Sequence, residues 1–561
     1  MNRKVKILLA VFLISIISVI SVGYSEKYFE ISKNLDVFVT LYKELNNYYV
    51  DDVNPGETIK KAIDSMLKSL DPYTTYIPES KIEDFRFMTT GQYGGIGAII
   101  TKINEYVYIN EPYEDFPAQK AGLMAGDKIL EINGVSAKNK TTEDVSKILK
   151  GQPNTMVKIL IERGVSKPNG MIEQSQLDVS FNREEIKVKS IPYYGFIKKG
   201  IAYIKLRSFT KECSKELKRA LNDLKNKEQL KGMILDLRGN PGGLLNESVK
   251  IANLFLPKGQ EIVRTKGKIK SWEKIYKANQ QPLDLVTPLV ILINKSSASA
   301  SEIVAGSIQD LDRGVIIGER SFGKGLVQQT RELSYNSKLK LTVAKYYIPS
   351  GRCIQAVDFS NRNNDGSVGK IPDSLITEFK TKNGRLVYDG GGINPDVLIY
   401  QQKNNEFLAQ IYKNRHFFNF ATDYRIRHKS LDTNYVLTEE EYLEFINYLS
   451  EKGNEYKTST EKALEDLKEE IKEDEYFSEN DYNIFEKQYD LIIEQAKNQK
   501  LKNPSKHKEE IKEILTGEIT SRYYYQKGRI QSTLLFDEAI KKSLGVLQNA
   551  EEYESILSGI Q

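Results

Sequence analysis

The sequence predicts an α/β core that is preceded by a β-rich module and flanked on both sides by helical segments. Between residues 191 and 400, apolar strand-like runs alternate with helical stretches, a pattern typical of a buried, largely parallel sheet. Between residues 92 and 182, short β-like runs are separated by glycines, which predicts a small β-rich module. Residues 30–90 and those beyond 400 show helical apolar spacing.

Length and composition set the limits of this prediction. A chain of 561 residues is too long for one domain, and about three or four folding units are expected. Apolar residues at 40% and charged residues at 28% are typical of folded globular chains. The 81 basic residues exceed the 76 acidic residues by only five, so the net charge does not indicate nucleic-acid binding.

Cysteine and histidine are both scarce. The two cysteines, Cys213 and Cys353, exclude a disulfide framework and a zinc-thiolate cluster. We interpret them as small buried hydrophobes, and the alternative is a single bridge between them. The three histidines, His416, His428 and His507, all lie in the C-terminal third. A hydrolase centred on earlier residues must therefore work without a histidine base.

The N-terminus has the pattern of an export segment. Arg3 and Lys4 precede the apolar stretch Val5–Gly23, and cationic residues remain on the cytoplasmic side when such a stretch enters a membrane. Ser21-Val22-Gly23 fits a cleavage site, so residues 1–25 are either a signal peptide or a retained anchor. We expect the rest of the chain to be extracytoplasmic, periplasmic or tethered to the membrane. The alternative is a buried helix of the folded protein.

Residues 26–90 are expected to form a helical N-terminal segment. Asp71-Pro72 should end the second helix, because proline disfavours helical backbone in the residue before it. Two groups of apolar residues at helical spacing mark the two helices: Phe38, Leu41, Leu45 and Tyr48, then Ile63, Met66, Leu67 and Leu70.

Residues 91–185 contain two patterns that together resemble a PDZ domain. The segment Tyr93–Ala98 reads YGGIGA, and Ala121–Gly134 reads AGLMAGDKILEING. Gly95 and Gly97 let the backbone turn so that the N–H groups around Ile96 and Ala98 converge on an anion. The resemblance implies that this loop binds the carboxylate of a peptide C-terminus while the next strand pairs with the peptide. The alternative is a glycine cluster that serves packing alone.

Three segments of the core, residues 186–400, contain residues suited to catalysis. Each follows an apolar run that we interpret as a buried strand: 233–235, 289–293 and 315–317. Their loops are therefore expected to meet at one end of a sheet. The segments are Leu235–Gly243 (LDLRGNPGG), Asn294–Ile303 (NKSSASASEI) and Ser321–Gln329 (SFGKGLVQQ).

In this order and spacing, the three segments resemble the carboxyl-terminal processing proteases, exported serine peptidases that use a Ser-Lys dyad. The resemblance covers about residues 35–400 and implies a ClpP/crotonase-like α/β core. It places the nucleophile at Ser299, the general base at Lys324 and the residue that orients this lysine at Gln328. It further implies an oxyanion hole formed by the N–H groups of Gly242 and Ala300, for which Gly239 and Gly243 compete with Gly242.

The chemistry of these residue types agrees with that assignment. A serine hydroxyl needs a base near neutral pH, and a lysine desolvated among apolar groups such as Phe322 and Val327 can lose enough pKa to accept the proton. The Gln328 amide can hold the amine without adding charge. No metal or organic cofactor is required.

Each assignment has a structural alternative. Ser299 followed by Glu302 is also a capping box, in which the serine closes the start of a helix. Ser296, Ser297 and Ser301 are alternative nucleophiles, and Lys324 is otherwise a surface lysine in a glycine turn. These alternatives remain open at the level of sequence.

The predicted function is therefore an exported serine endopeptidase that recognises substrate C-termini. Its partners are protein or peptide substrates with a free C-terminus, together with the membrane if residues 1–25 are retained. Residues 401–561 are expected to be a charged helical extension that could mediate homo-oligomerisation or bind an adaptor. The rivals are a catalytically silent PDZ scaffold or carrier and a hydrolase based on His416 or His428.

Overall fold

The computed structural model describes residues 28–167, 171–362, 367–400, 406–451, 458–474, 476, 478–500 and 503–559. The proposed signal peptide or anchor, residues 1–25, lies outside them. The described residues form two compact units. The smaller contains residues 28–76 with Thr330–Glu332 and Lys338–Leu341, and the larger contains the rest.

Two helices make up most of the smaller unit. They are α1 (residues 28–48) and α2 (Pro55–Lys68), followed by strand β1 (Thr75–Ile77). The Asn54 side chain accepts a hydrogen bond from the Glu57 N–H at 3.2 Å and so caps the start of α2. The Asp71 carboxylate accepts the N–H groups of Tyr73 and Thr74 at 2.8 Å, which turns the chain just after α2. The predicted helix end is confirmed, although the apolar side chains of α1 are mostly exposed.

A β-rich module opens the larger unit. Five strands form its main sheet in the order β3-β4-β5-β7-β8, with β6 beside β5, while β2 and β9 form a separate ribbon. The elements are α3 (Ile82–Thr90), β2 (Gln92–Gly95), β3 (Ala98–Ile103), β4 (Tyr106–Pro112), α4 (Pro117–Lys120), β5 (Lys128–Ile132), β6 (Val135–Ser136), α5 (Thr142–Leu149), β7 (Met156–Ser166), β8 (Ile172–Asn182) and β9 (Glu184–Lys187). The predicted strands are present, and Ile96 and Gly97 lie in the turn between β2 and β3.

The α/β core follows the module. Its elements are β10 (Tyr193–Lys198), β11 (Ile201–Lys205), α6 (Cys213–Lys227), β12 (Gly232–Asp236), α7 (Leu245–Asn253), β13 (Glu261–Gly267), β14 (Lys274–Lys277), β15 (Leu289–Ile293), α8 (Ala300–Asp310), β16 (Val315–Gly318), β17 (Leu326–Glu332), β18 (Lys338–Tyr347), β19 (Val357–Arg362), β20 (Val368–Lys370), β21 (Glu378–Lys380), β22 (Leu386–Tyr388) and β23 (Val397–Leu398). The central sheet has the order β10-β11-β12-β15-β16-β23. All its strands are parallel except β10.

The C-terminal region is helical, as predicted. Its helices are α9 (Glu406–Lys413), α10 (His416–Arg427), α11 (Glu439–Glu451), α12 (Ser459–Glu473), α13 (Glu479–Lys500), α14 (Asn503–Lys506), α15 (Lys508–Thr533), α16 (Glu538–Gln548) and α17 (Ala550–Ser558). Among the described residues, no helix combines the length and apolar character needed to cross a membrane.

The central sheet is covered on both faces, and the second cover comes from the C-terminal region. Helices α6, α7 and α8 pack on one face. On the other face, residues of α16 and α17 such as Ile540 and Tyr553 share a core with Ile234 and Val290 of the sheet. Residues 401–561 were expected to form one helical extension, but its last two helices complete the α/β core. The reason is that strands buried on both faces need a helical layer on each.

Helices α10 and α15 of the C-terminal region contact the β-rich module. Arg529 of α15 lies 2.9 Å from the Glu111 carboxylate of β4, and Arg415 donates to the Thr101 hydroxyl at 2.8 Å. Burial raises the pKa of Glu111, while the charge of Arg529 lowers it. The helical region therefore touches both the module and the central sheet.

We expect truncation of the α16 contact to destabilise the core. Leu547 packs against β12, where a Cβ built on Gly232 would lie 3.2 Å from its side chain. Leu547→Ala should cost about 2–4 kcal/mol of unfolding free energy through the cavity it leaves. Thermal denaturation measures this, with Leu535→Ala as the control because Leu535 is 67% exposed. Equal melting temperatures for the two variants would show that α16 adds no stability.

Candidate active site

The three segments singled out in the sequence meet at one edge of the central sheet. They follow β12, β15 and β16, which are adjacent and parallel. Because the carboxyl ends of parallel strands face the same way, the loops after them converge there. This arrangement confirms the expectation that the loops gather at one end of a sheet.

Ser299 lies at the start of α8 in a strained backbone conformation. Its φ of 56° and ψ of −111° lie outside the extended region that helix-capping residues normally adopt. A non-glycine residue in such a conformation costs about 1–3 kcal/mol, and such strain is concentrated at functional sites. The Glu302 half of the predicted capping box is present, because its carboxylate accepts the Ser299 N–H at 2.7 Å, but the Ser299 side chain makes no capping hydrogen bond.

The other serines of the segment differ from Ser299 in their surroundings. The buried Ser297 hydroxyl donates to the Leu237 carbonyl at 2.9 Å, and the buried Ser301 hydroxyl donates to the Asn240 carbonyl at 2.9 Å. Both therefore hold the glycine-containing loop after β12 in place. Ser296 is exposed, whereas Ser299 is half-buried.

The buried Glu302 carboxylate joins the Ser299 segment to the Lys324 segment. One oxygen accepts the backbone N–H groups of Ser299 at 2.7 Å and Lys324 at 2.9 Å. The other accepts the Ser321 hydroxyl at 2.6 Å and the Gly323 N–H at 2.7 Å. Burial raises the pKa of Glu302, and these four hydrogen bonds act in the opposite direction.

Tyr346 of β18 forms a second bridge between the same segments. Its hydroxyl lies 2.5 Å from the Lys324 carbonyl oxygen and 3.2 Å from that of Ser299. The tyrosine is almost fully buried. The backbones of residues 299 and 324 are therefore fixed to each other at two points.

Lys324 lies in the loop between β16 and β17 and is half-buried. The expected apolar neighbour Phe322 is 51% exposed and so contributes little to its desolvation. Gln328 lies on β17, and its side-chain amide donates to the Thr342 hydroxyl of β18 at 3.2 Å. That contact fixes the Gln328 side chain near the start of β17, four residues after Lys324.

The loop after β12 lies against the nucleophile segment. A Cβ built on Gly242 would come within 2.9 Å of the Ser299 Cβ and 3.0 Å of the Ala300 nitrogen, so only glycine fits there. The Gly242 N–H donates to the Asn240 side chain at 2.9 Å, and Gly239 donates to the Asn294 side chain at 2.9 Å.

Two other N–H groups of these segments differ from those of Gly242 and Gly239. Within the described chain, the Gly243 and Ala300 N–H groups donate to no acceptor. The choice among the loop glycines as oxyanion donor therefore stays open, with Gly242 already hydrogen-bonded to Asn240.

A buried charged cluster holds the base of this loop. The Asp236 carboxylate accepts from Tyr203 at 2.8 Å, from the Arg238 guanidinium at 2.7 and 3.1 Å, and pairs with Lys205 at 3.1 Å. Burial alone would raise the pKa of Asp236, but the charges of Arg238 and Lys205 hold it well below its ordinary value.

The predicted peptide-carboxylate loop lies in the β-rich module. Gly97 has a φ of 73°, and a Cβ there would clash with Phe116 at 2.5 Å, so this turn requires glycine. Burial raises the pKa of the Tyr93 phenol, while a hydrogen bond from the Gly97 N–H lowers it. Gly95 ends β2, Ile96 lies in the turn and Ala98 begins β3.

The three histidines lie among the C-terminal helices. The His416 ring packs edge-on against Tyr448, the His428 ring stacks on Tyr424, and the His507 ring lies near Phe407. These contacts count against the rival hydrolase based on His416 or His428.

Sequence reasoning missed several residues that shape the site. Glu302 was visible only as the second residue of a capping box, and nothing local revealed its bonds to residues 321–324. Tyr346 and Asn240 carried no signal of their own. Asn240 was part of a recognised segment, and a short polar side chain within a glycine-rich turn could have been identified as its stabiliser.

Three family models match the chain. They are a PDZ domain over residues 108–163, Peptidase family S41 over 200–361, and the C-terminal helical domain of a probable PDZ-protease over 407–547. The third match shows that the helical C-terminal region is similar to a domain found in probable PDZ-proteases.

Curated relatives and a solved structure are also similar to the chain. A carboxy-terminal-processing protease of Bartonella bacilliformis is 39% identical over 329 residues, which cover 58% of this chain and 73% of that protein. A probable CtpA-like serine protease of Staphylococcus aureus is 38% identical over 326 residues, which cover 57% of this chain and 62% of that protein. The solved photosystem II D1 C-terminal processing protease is 26% identical, with a TM-score of 0.35, covering 64% of this chain and 92% of that chain.

The matched families define the class of protein, a serine-type peptidase with a PDZ domain. Within that class, the chain belongs to the carboxy-terminal-processing protease family, peptidase family S41. The predicted family is thereby confirmed, as is a fold composed of an S41 peptidase domain, a PDZ domain and a helical C-terminal region.

We expect Glu302→Gln to impair catalysis beyond its effect on stability. The amide can accept from two of the four donors at most and opposes the others with its own N–H groups. The variant should lose about 1–3 kcal/mol of unfolding free energy and about a hundredfold in kcat, as measured by peptide hydrolysis. Asp310→Asn is the control, since it breaks a buried contact to Arg352 at the far end of α8. A similar kcat for both variants would contradict this role of Glu302.

Proposed function

We propose that this protein is an exported serine endopeptidase with a Ser-Lys dyad on a ClpP/crotonase-like core. Ser299 is the nucleophile, Lys324 the general base and Gln328 the residue that orients the lysine. The observation that supports this most is the Glu302 carboxylate, because a single oxygen of it binds the backbone N–H groups of both Ser299 and Lys324. The backbones of the two residues are thus close together, although α8 and β16 lie between them in sequence.

The surroundings of Ser299 favour it over the other serines. Ser297 and Ser301 are buried and donate their hydroxyl hydrogens to carbonyl groups of the loop after β12. A nucleophile needs a hydroxyl that a substrate can reach, which leaves Ser299 and the exposed Ser296. Of these two, Ser299 has the strained backbone and lies beside the Lys324 segment.

The proposed reaction has two halves. The Ser299 oxygen attacks the carbonyl carbon of the scissile peptide bond while Lys324 takes the hydroxyl proton. The tetrahedral intermediate collapses, the proton passes to the leaving amine, and an acyl-enzyme ester remains. Water, deprotonated by the same lysine, then attacks the ester, and Ser299 leaves with the returned proton.

The oxyanion donors are proposed on both sides of Ser299. The Ala300 N–H opens α8, where the helix dipole also favours negative charge. The second donor comes from the loop after β12, either from Gly242, as the resemblance implies, or from its neighbour Gly243. For Gly242 to serve, its N–H must exchange the Asn240 side chain for the oxyanion.

The PDZ domain is proposed to select substrates by their free C-terminus. Its carboxylate loop, Gly95–Ala98, offers backbone N–H groups, and β3 offers an edge for an extended peptide. The Tyr93 ring lies against this loop, because a Cβ built on Gly95 would be 2.7 Å from it.

Location and assembly are further parts of the proposal. Export rests on the cationic and apolar pattern of residues 1–25, with the mature chain in the periplasm or tethered to the membrane. The C-terminal helices are proposed as a surface for a second copy or an adaptor. The second candidate function, a silent PDZ scaffold, does not require the strained backbone conformation of Ser299.

We expect Ser299→Ala and Lys324→Ala each to abolish cleavage of an unfolded casein-like protein while circular dichroism shows an intact fold. Lys324→Arg and Lys324→His should also be inactive, because neither supplies a neutral amine at that position. Ser296→Ala is the matched control and should retain at least half of the activity. Cleavage by the Ser299→Ala variant would refute Ser299 as the nucleophile, and a wild-type protein that does not cleave would favour the scaffold function.

We expect the PDZ domain to discriminate between free and blocked C-termini. Two substrates of identical sequence, one ending in a carboxylate and one in an amide, should differ about tenfold in kcat/KM in favour of the free acid. The loss of a charge-assisted interaction with the Gly95–Ala98 loop is the physical reason. Steady-state hydrolysis measures the difference, and equal rates would exclude carboxylate recognition.

A further inference from the structure

One ion pair connects the C-terminal helices to the loop after β12. The Arg238 guanidinium lies 2.7 Å from the Asp537 carboxylate, which immediately precedes α16. The Arg238 side chain is 14% exposed and that of Asp537 is 23% exposed. An ion pair shielded to this degree is stronger than a surface pair, because water screens it less.

The two oxygens of Asp537 have separate roles. Oδ1 accepts the N–H groups of Ala539 at 2.9 Å and Ile540 at 3.2 Å, which caps the start of α16. Oδ2 pairs with Arg238. The helix cap therefore fixes the position of the carboxylate that Arg238 meets.

Asp537 is the second carboxylate that pairs with Arg238. Lys205 and Arg238 supply two positive charges, and Asp236 supplies one negative charge between them. Asp537 supplies the second negative charge. Without it, one end of the guanidinium would lose its partner in a largely buried setting, which is costly.

Arg238 in turn belongs to the backbone that reaches Ser299. Its carbonyl accepts Lys205 at 2.8 Å, and the next two residues are Gly239 and Asn240. The Asn240 carbonyl accepts the Ala298 N–H at 3.1 Å and the Ser301 hydroxyl at 2.9 Å. A displacement of Arg238 would therefore be transmitted to Ala298 and Ser301, which lie on either side of the nucleophile.

We propose that Asp537 is a positioning residue for the peptidase reaction: through Arg238 it fixes the loop Gly239–Gly243, which supplies an oxyanion donor beside Ser299. This inference rests on the proposed dyad and oxyanion hole. It gives the C-terminal region a role in catalysis in addition to covering the sheet. Asp537 itself does not touch the reacting atoms.

Asp537→Asn tests this with little change to the fold. Asparagine keeps an oxygen that can cap α16, and it is as good a capping residue as aspartate, but it replaces the charge that pairs with Arg238 by an amide. We expect kcat for peptide hydrolysis to fall about tenfold, with KM changing less than twofold. Binding of a peptidyl boronate, which forms a tetrahedral adduct, should weaken by about the same factor as kcat.

Three further variants make the result decisive. Glu538→Gln, one residue along, removes an exposed charge and should leave kcat unchanged. In an Arg238→Lys background, Asp537→Asn should cause less than a further twofold loss, because the two residues act through one contact. If circular dichroism shows that Asp537→Asn is not folded, Asp537→Ser replaces it. Serine also caps helices, but it carries no charge that could pair with Arg238.

The outcomes separate this inference from the proposed function. A wild-type protein that does not cleave, or a Ser299→Ala variant that does, would refute the dyad itself. A cleaving wild type with an unchanged kcat in Asp537→Asn would refute the positioning role alone. A full tenfold loss in both the wild-type and Arg238→Lys backgrounds would also refute it, because the effect would then not pass through Arg238.

Discussion

The site depends on one buried carboxylate, that of Glu302. A carboxylate enclosed by protein is very costly unless donors surround it, and Glu302 meets this condition with four hydrogen bonds from two loops. The cost of burying the charge is therefore recovered only when both loops are in place. This makes the proximity of Ser299 and Lys324 a condition of folding, and Tyr346 reinforces it with a single hydroxyl that meets both carbonyl groups.

Much of this architecture was readable from local patterns. Apolar runs of three to five residues predicted the parallel strands, and the rule that parallel strands share a carboxyl edge placed Ser299, Lys324 and Gly242 together. Local patterns could not predict which residues distant in sequence would hydrogen-bond to one another. Glu302 was recognisable as a helix-capping residue, but its bonds to Ser321 and Gly323 depend on how two loops meet in space. Gln328 likewise meets Thr342, a contact set by the pairing of two strands rather than by its neighbours in sequence.

The C-terminal region shows a second limit of sequence reasoning. Its charge-dense helices indicated a solvated appendage, and α12 fits that interpretation. The strands of the central sheet indicated the opposite, because the runs Met233–Leu235 of β12 and Leu289–Ile293 of β15 are apolar on both faces and so require a cover on each. Among the described residues of the core, three α-helices are available for this, and all three lie on one face. The missing layer is supplied by α16 and α17, whose apolar residues include Ile540 and Ile556.

The packing of α17 on β15 also bears on the order in which the protein can mature. The Tyr553 hydroxyl accepts the Leu289 N–H at 3.0 Å, a contact between residues 264 positions apart. While the ribosome is still adding that intervening stretch, one side of the sheet presents Ile234, Val290 and Leu292 to solvent, a surface prone to aggregation. Contacts so distant in sequence also slow folding. In a newly synthesised chain, the layer of α16 and α17 therefore covers the sheet late, after the PDZ domain has had the opportunity to form.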